Sequence, residues 1–158
     1  MRRAWKPLLA VSALALAGCA APSDPQVTFY SHGSAVSVPP AQYCEDPAGE
    51  ECSPPDPEAV GTLRVPGDSV LQISVPAEVA DAPWQVVFLY RGPDGELLDS
   101  RTQVFPPGER HAYTLQLPPD GTRLEHVEVQ KFSAVLTPNQ GGGVSFGIGG
   151  TWVLSVRQ

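Results

Sequence analysis

The stretch Trp84–Arg91, WQVVFLYR, decides how the rest of the chain is read. A strand sends successive side chains to opposite faces, so Trp84, Val86, Phe88 and Tyr90 fall on one side. Val87 and Leu89 make the other side partly apolar, as expected of a central strand. The GPDGE that follows, residues 92–96, turns the chain back into a strand from about Leu97 to Phe105. Upstream, SVLQISV (69–75) alternates, with Leu71, Ile73 and Val75 on one face and Gln72 and Ser74 on the other. Downstream, HAYTLQL (111–117) turns Tyr113, Leu115 and Leu117 inward, LEHVEVQKF (124–132) offers Val127 and Val129, and TWVLSV (151–156) offers Trp152, Leu154 and Val156. VTFY (27–30) and AVSV (35–38) flank the turn SHGS.

After residue 18 no ten-residue stretch carries a helical stripe. Seven to nine short strands separated by Pro/Gly turns predict an all-β domain: an immunoglobulin-like or fibronectin-like β-sandwich first, a small β-barrel as the alternative. The strand order resembles B, C, C′, E, F and G of such sandwiches. It departs from them in lacking the tyrosine near the start of strand F, and its cysteines lack the B-to-F inter-sheet spacing.

At the N-terminus, Arg2, Arg3 and Lys6 precede the apolar run Leu8–Ala17, the charged and apolar regions of a secretory signal too short to span a bilayer. Leu16-Ala17-Gly18-Cys19 resembles the bacterial lipobox, in which the cysteine thiol is acylated and the chain is cut before it. The expected organisation is a signal peptide over 1–18, a lipidated tether over 19–25 and a single domain over 26–158. The protein is then exported and held on the outer face of the cell membrane through palmitate-type acyl chains at Cys19. The processed chain keeps seven basic residues against seventeen acidic ones, a formal charge of −10. Nucleic acid and anionic headgroups are excluded as partners on charge, since the attraction to phosphate becomes repulsion.

With Cys19 spent on lipid, Cys44 and Cys52 remain in CEDPAGEEC, and an oxidising compartment makes a disulfide between them the expectation. A redox or metal pair is disfavoured by the spacing, which is not C-x-x-C, and by the lack of a nearby histidine. Residues 39–59 are too rich in proline and carboxylate to pack and read as a disulfide-pinned acidic loop. Residues 133–150 read as a flexible excursion before the last strand.

GVSFG, residues 143–147, matches G-x-S-x-G, but a nucleophile elbow needs a helix after the serine and an acid and a histidine further on. Residues 146–158 contain neither. The acidic loop lacks calcium-loop spacing and reads as a solvated charge run. His32, His111 and His126 are scattered singly, so no metal or other cofactor is expected and the protein is read as a non-enzyme. Trp84, Tyr90, Tyr113 and Trp152 are core residues by alternation, whereas Tyr43 and Phe146, in or beside loops, are the candidate partner contacts.

The lipobox together with VTFYSHGSAVSVPPAQYC, SVPAEVADAPWQVVFLYR, YTLQLP and the terminal GTWVLSV resembles the actinobacterial lipoprotein family catalogued as domain of unknown function 2771. The likeness covers residues 26–157 and implies an exported, membrane-tethered β domain, with no catalytic residue to carry over. Two functional classes follow. The first is a non-enzymatic lipoprotein presenting loops 39–59 and 133–150 to an envelope protein or cell-wall partner. The second is a solute-binding or enzymatic lipoprotein with a site assembled from distant residues, for which a pocket with convergent polar groups is the sign.

Overall fold

Alternation along the chain resolves into strands and a single turn of helix. The computed structural model describes residues 24–67, 69–138 and 144–157, the side chains of 135–138, 144 and 145 aside. In chain order these hold β1 (Val27–Ser31), β2 (Ser34–Val38), β3 (Gln42–Tyr43), β4 (Val60–Arg64), β5 (Leu71–Ser74), α1 (Ala77–Ala80), β6 (Trp84–Arg91), β7 (Leu97–Arg101), β8 (Ala112–Leu115), β9 (Arg123–Pro138) and β10 (Val144–Arg157). One sheet runs β2-β1-β5-β8; the other runs β3-β10-β9-β6-β7, with β4 also on β10. Neighbours are antiparallel except β4 and β10, which run parallel from Val60↔Val153 to Arg64↔Arg157. The sheets do not close on each other, so the architecture is the expected β-sandwich and not the barrel.

The core lies between the sheets and consists of the residues alternation turns inward. From β6 come Trp84, Val86, Phe88 and Tyr90; from β9, Val127 and Val129; from β10, Trp152, Leu154 and Val156. Val27, Phe29, Leu71, Ile73 and Leu115 meet them from the smaller sheet. Full burial of each large apolar side chain contributes about 1.5–3 kcal/mol against its exposed state, which makes this face-to-face packing the dominant stabilising term. Tyr113 and Leu117 are only half-buried, packed against the margin of the core. The two indoles bury their N–H groups with acceptors: Trp84 Nε1 donates to the Arg110 carbonyl (3.2 Å) and Trp152 Nε1 to the Pro25 carbonyl (2.7 Å).

Three features differ from expectation. β4 has no counterpart in the sequence reading because its inward alternation includes Gly61, where a Cβ would collide with the Val38 methyl, so an apolar signal is missing where the strands approach most closely. Of residues 133–150, the described ones are strand and not an excursion: β9 continues to Pro138 and β10 starts at Val144, paired as Val144↔Pro138 and Phe146↔Leu136. The register shifts between Phe146 and Ile148, where the extra residues 133–135 lie on β9, and again between Ile148 and Gly150, where Gly149 is the extra residue on β10. Helix α1 is one turn that buries Val79 and Ala80 and is too short to leave a stripe in the sequence.

At the end of the sandwich carrying the β6–β7 turn, Glu125 accepts from Arg91 Nε (3.0 Å) and from Arg123. Those two guanidinium hydrogen bonds, Arg91 first, hold its carboxyl below the ordinary value of 4.5. A depressed acid pKa contributes stability that is present above the unfolded-state value and lost as pH falls through the folded one. Glu125→Gln is therefore expected to cost about 0.5–1 kcal/mol at pH 7, limited by the exposure of both arginines, and to approach the parent as pH falls through the lowered folded-state pKa. Urea titrations at pH 7 and pH 3 check this; an equal deficit at both values would show that the ion pairs do not carry the effect.

Candidate functional site

The chain reaches the opposite end of the sandwich by several routes: the start of β1, the segment after β2, the exit of β5 into α1, the start of β6, the loop before β8 and the far part of β9 all lie there. Trp84 opens β6 with its Cα opposite Lys131. Beyond that pair, backbone bonds from other segments complete the edge of β9. Phe132 N donates to the Pro83 carbonyl (2.8 Å) and Ala134 N to the Pro47 carbonyl (2.7 Å). The second of these docks the acidic loop on the sheet, and Cys44 N to Gly149 O (2.9 Å) docks its base on β10.

The loop is closed by the Cys44–Cys52 disulfide and filled by Asp46. The Asp46 carboxylate accepts from Glu51 N (2.6 Å) and Glu50 N (3.1 Å), and those amides, Glu51 first, hold its pKa below the usual carboxylate range. The loop is therefore an ordered element laced to β9 and β10, on which Glu45, Glu50, Glu51, Asp56 and Glu58 stay exposed as the expected solvated charge. Proline and carboxylate rule out a strand, but here they are the means of ordering a turn.

Between this loop, α1 and β9 opens a cleft of about 370 Å³. Pro47, Ala82, Pro83, Pro107 and Phe132 supply apolar wall; Glu45, Asp46, Glu78 and Asp81 supply carboxylates. Lys131 is among the lining residues and is only 9% exposed. Its Nζ lies 4.6 Å from the centroid of the Tyr43 ring and donates to Tyr43 Oη at 3.4 Å. Among the described residues no carboxylate stands within 4.0 Å of it. Burial pushes the Lys131 amine down from its ordinary value, with Asp46 and Glu78 opposing. The Tyr43 phenol is pushed up by burial, then by Glu78, Asp24 and Glu45.

The family described as "Protein of unknown function (DUF2771)" matches residues 20–157. The chain belongs to it. Among DUF2771 relatives, uncharacterized proteins of Mycobacterium tuberculosis and Mycobacterium bovis are each 31% identical over 116 residues, covering 73% of this chain and 68% of theirs. No solved structure matches it.

Against this geometry the sequence-predicted residues of the DUF2771 chain divide. Cys44 and Cys52 are joined as expected. Cys19 lies outside the described residues, as does most of the tether. Tyr43 is not a loop tip: it belongs to β3, pairs with Gly150, and is half-buried with its ring 6.0 Å from that of Trp152. Phe146 is a strand residue of β10, 50% exposed, with its ring 6.0 Å from Phe132. Ser145 lies in the same strand, which runs on to Arg157 with no helix, so the backbone has no nucleophile elbow; its side chain lies outside the described set. Among the described residues no three His, Cys, Asp or Glu side chains gather to hold a metal ion.

Lys131 was not singled out by sequence, although two signals marked it. It is one of only two lysines in the chain, and it shares the parity of Val127 and Val129, which places it on the core-facing side of β9. A lysine on an inward face is rare enough to be a site candidate in its own right.

Proposed function

We propose that this chain is an exported, membrane-anchored binding module of the cell envelope that works through the end of its sandwich where the disulfide loop and the β9–β10 ribbon meet. The observation that carries the reading is the joining of these two segments, far apart in sequence, around one open cleft. A rigid sheet presenting ordered loops is a recurrent arrangement for recognition. Phe146 and Ile148, 50% and 40% exposed on the ribbon, add apolar contact surface beside it. Anchoring supports the same end: Asp24 lies with Tyr43, Glu45 and Cys52 around a neighbouring depression. Five residues of chain span at most about 18 Å, so acyl chains on Cys19 keep the cleft end close to the bilayer. At that distance a modest affinity suffices for a partner held in the same membrane.

Cys19→Ala is expected to leave the signal uncleaved and to remove the acyl mass from the envelope protein; an unmodified mature N-terminus at another residue would overturn the anchoring. Cross-linking in cells from positions within 45–51 and from the ribbon is expected to recover a common partner, lost when EDPAGEE is scrambled. Recovery only from the β6–β7 end would overturn the choice of end. Solute binding is the second reading, and the size of the cleft favours it, since small-ligand sites run from about 300 to 1,000 Å³.

A further inference from the structure

We infer that the cleft receives the carboxylate end of a peptide that bears a cationic group a short way upstream, with Lys131 as the carboxylate's partner. The inference rests on the proposed working end and names the chemistry that end recognises. Lys131 is the observation that points to a ligand. An ammonium has three N–H donors, and here one reaches Tyr43 Oη at the long distance of 3.4 Å while no other acceptor is found among the described residues. Holding a cation at 9% exposure without a carboxylate against it is costly, and the Tyr43 ring face, 4.6 Å away, offsets only part of that cost. A carboxylate arriving beside Nζ completes an ion pair in a partly desolvated site, where such hydrogen bonds are strongest.

The remaining charges choose among anions. Glu45, Asp46, Glu78 and Asp81 ring the same cleft against a single lysine, so the site is net negative. A dianion such as phosphate gains one contact and meets repulsion from four, and a simple fatty or aromatic acid meets the same repulsion with nothing to offset it. A ligand that presents one carboxylate to Lys131 and a cation to the rim satisfies both. Glu45, Glu78 and Asp81 are exposed, whereas the Asp46 oxygens are already engaged by the loop amides. The wall between, with Pro47, Ala82, Pro83 and Pro107, suits short apolar side chains and not a second charge. A carboxy-terminal peptide with a basic residue two positions before its end has this pattern, whether it is free in the envelope or is the end of a membrane partner.

The test is calorimetry on the disulfide-intact mature protein in detergent, with the N-acetylated tripeptides Lys-Ala-Ala and Glu-Ala-Ala, the carboxy-terminal amide of the first, and inorganic phosphate. Lys-Ala-Ala is expected to bind, the amide and Glu-Ala-Ala to bind at least tenfold more weakly, and phosphate to show no saturable heat. Lys131→Met is expected to abolish peptide binding while melting no lower than the parent, because an unpaired buried charge gives way to an apolar chain of similar length. Melting and the circular dichroism of that variant separate a lost contact from a lost fold. Equal binding of acid and amide, or undiminished binding by a folded Lys131→Met, would overturn the assignment, as would the absence of binding by every peptide. If peptides fail while loop cross-links still recover a partner, the ligand chemistry falls and the working end stands. Where Lys-Ala-Ala binds, displacement of the cross-linked partner by the free peptide identifies that partner's own terminus as the source; no displacement assigns the site to a free peptide.

Discussion

Trp152→Ala is expected to be the most damaging single substitution in this domain, lowering its stability by about 3–5 kcal/mol. The indole is fully buried in the core, on the strand that pairs with β9 on one side and with both β3 and β4 on the other. Its surroundings are built to its shape. Gly150 has no side chain, and a Cβ there would stand 2.9 Å from Trp152 Cη2. Tyr43 packs at 6.0 Å between ring centroids, and the N–H donates to the Pro25 carbonyl, tying the first described residues to the core. Truncation thus removes the apolar contacts, leaves a cavity that close neighbours cannot fill, and strands a carbonyl. Against a total stability of about 5–15 kcal/mol for an ordinary domain, this is about a fifth at the least.

Trp152→Phe separates the contributions: it keeps most of the ring but not the donor, and the expected cost falls to about 1–3 kcal/mol. Gly150→Ala probes the same fit from the other side and is expected to destabilise through the indole it crowds. Phe146→Ala, on the half-exposed part of β10, is expected to stay within about 0.5 kcal/mol of the parent. Chemical denaturation of the four variants gives the ordering. A Trp152→Ala midpoint close to that of Phe146→Ala would mean that the core is not centred where the packing puts it.

The residues that were legible in sequence are those whose side chains report their own environment. Trp84 to Tyr90 alternate over a full strand, and Leu71, Ile73 and Val75 do so over a shorter one, because one face of each meets the opposite sheet. β4 was hidden because the contact at Gly61 is made by backbone, with Val38 occupying the space a side chain would fill. The far part of β10 was hidden for a related reason. Glycine signals a loop when it relieves conformational strain, but Gly147 lies within a paired strand and Gly149 is a bulge in it, and composition does not tell these uses apart.

The cleft was illegible for a different reason. Its walls come from five stretches of chain, and the bonds that bring the acidic loop to β9 and β10 are main-chain, Ala134 to Pro47 and Cys44 to Gly149, with no sequence signature. What could have been read was Lys131. The same parity that assigns Val127 and Val129 to the core assigns it there too, and a charged residue on a buried face signals a local requirement that packing alone does not create.

Opening the Cys44–Cys52 bond is expected to act more strongly on the cleft than on the fold. In the chain-entropy account, a loop of this length contributes about 2.5 kcal/mol, or about 10 °C in melting temperature for a domain of this size. The appropriate variant is Cys44→Ala with Cys52→Ser, since Cys44 is 1% exposed and a hydroxyl there would be buried, whereas Cys52 faces solvent. The core between the sheets contains no residue between Cys44 and Cys52, so the domain is expected to fold without the bond. The loop has less to hold it. Once the covalent closure is gone, its conformation rests on hydrogen bonds alone, Glu50 N and Glu51 N to the Asp46 carboxylate, Glu45 N to Glu51 O, Gly49 N to Asp46 O and Ser53 N to Tyr43 O, and its position on Ala134 N to Pro47 O and Cys44 N to Gly149 O. Exposed hydrogen bonds of this kind open at little free-energy cost, so hydrogen exchange at Glu50, Glu51 and Ala134 is expected to accelerate by far more than at Val127 or Val129. The cleft loses the wall made by Asp46 and Pro47 as the loop opens, and peptide affinity is expected to fall at least tenfold in a protein that still melts cooperatively. Uniform acceleration across loop and core would show instead that the bond stabilises the sandwich as a whole. Exchange unchanged at all five amides would show that the main-chain bonds hold the loop alone, and the cleft would then keep its shape under reducing conditions.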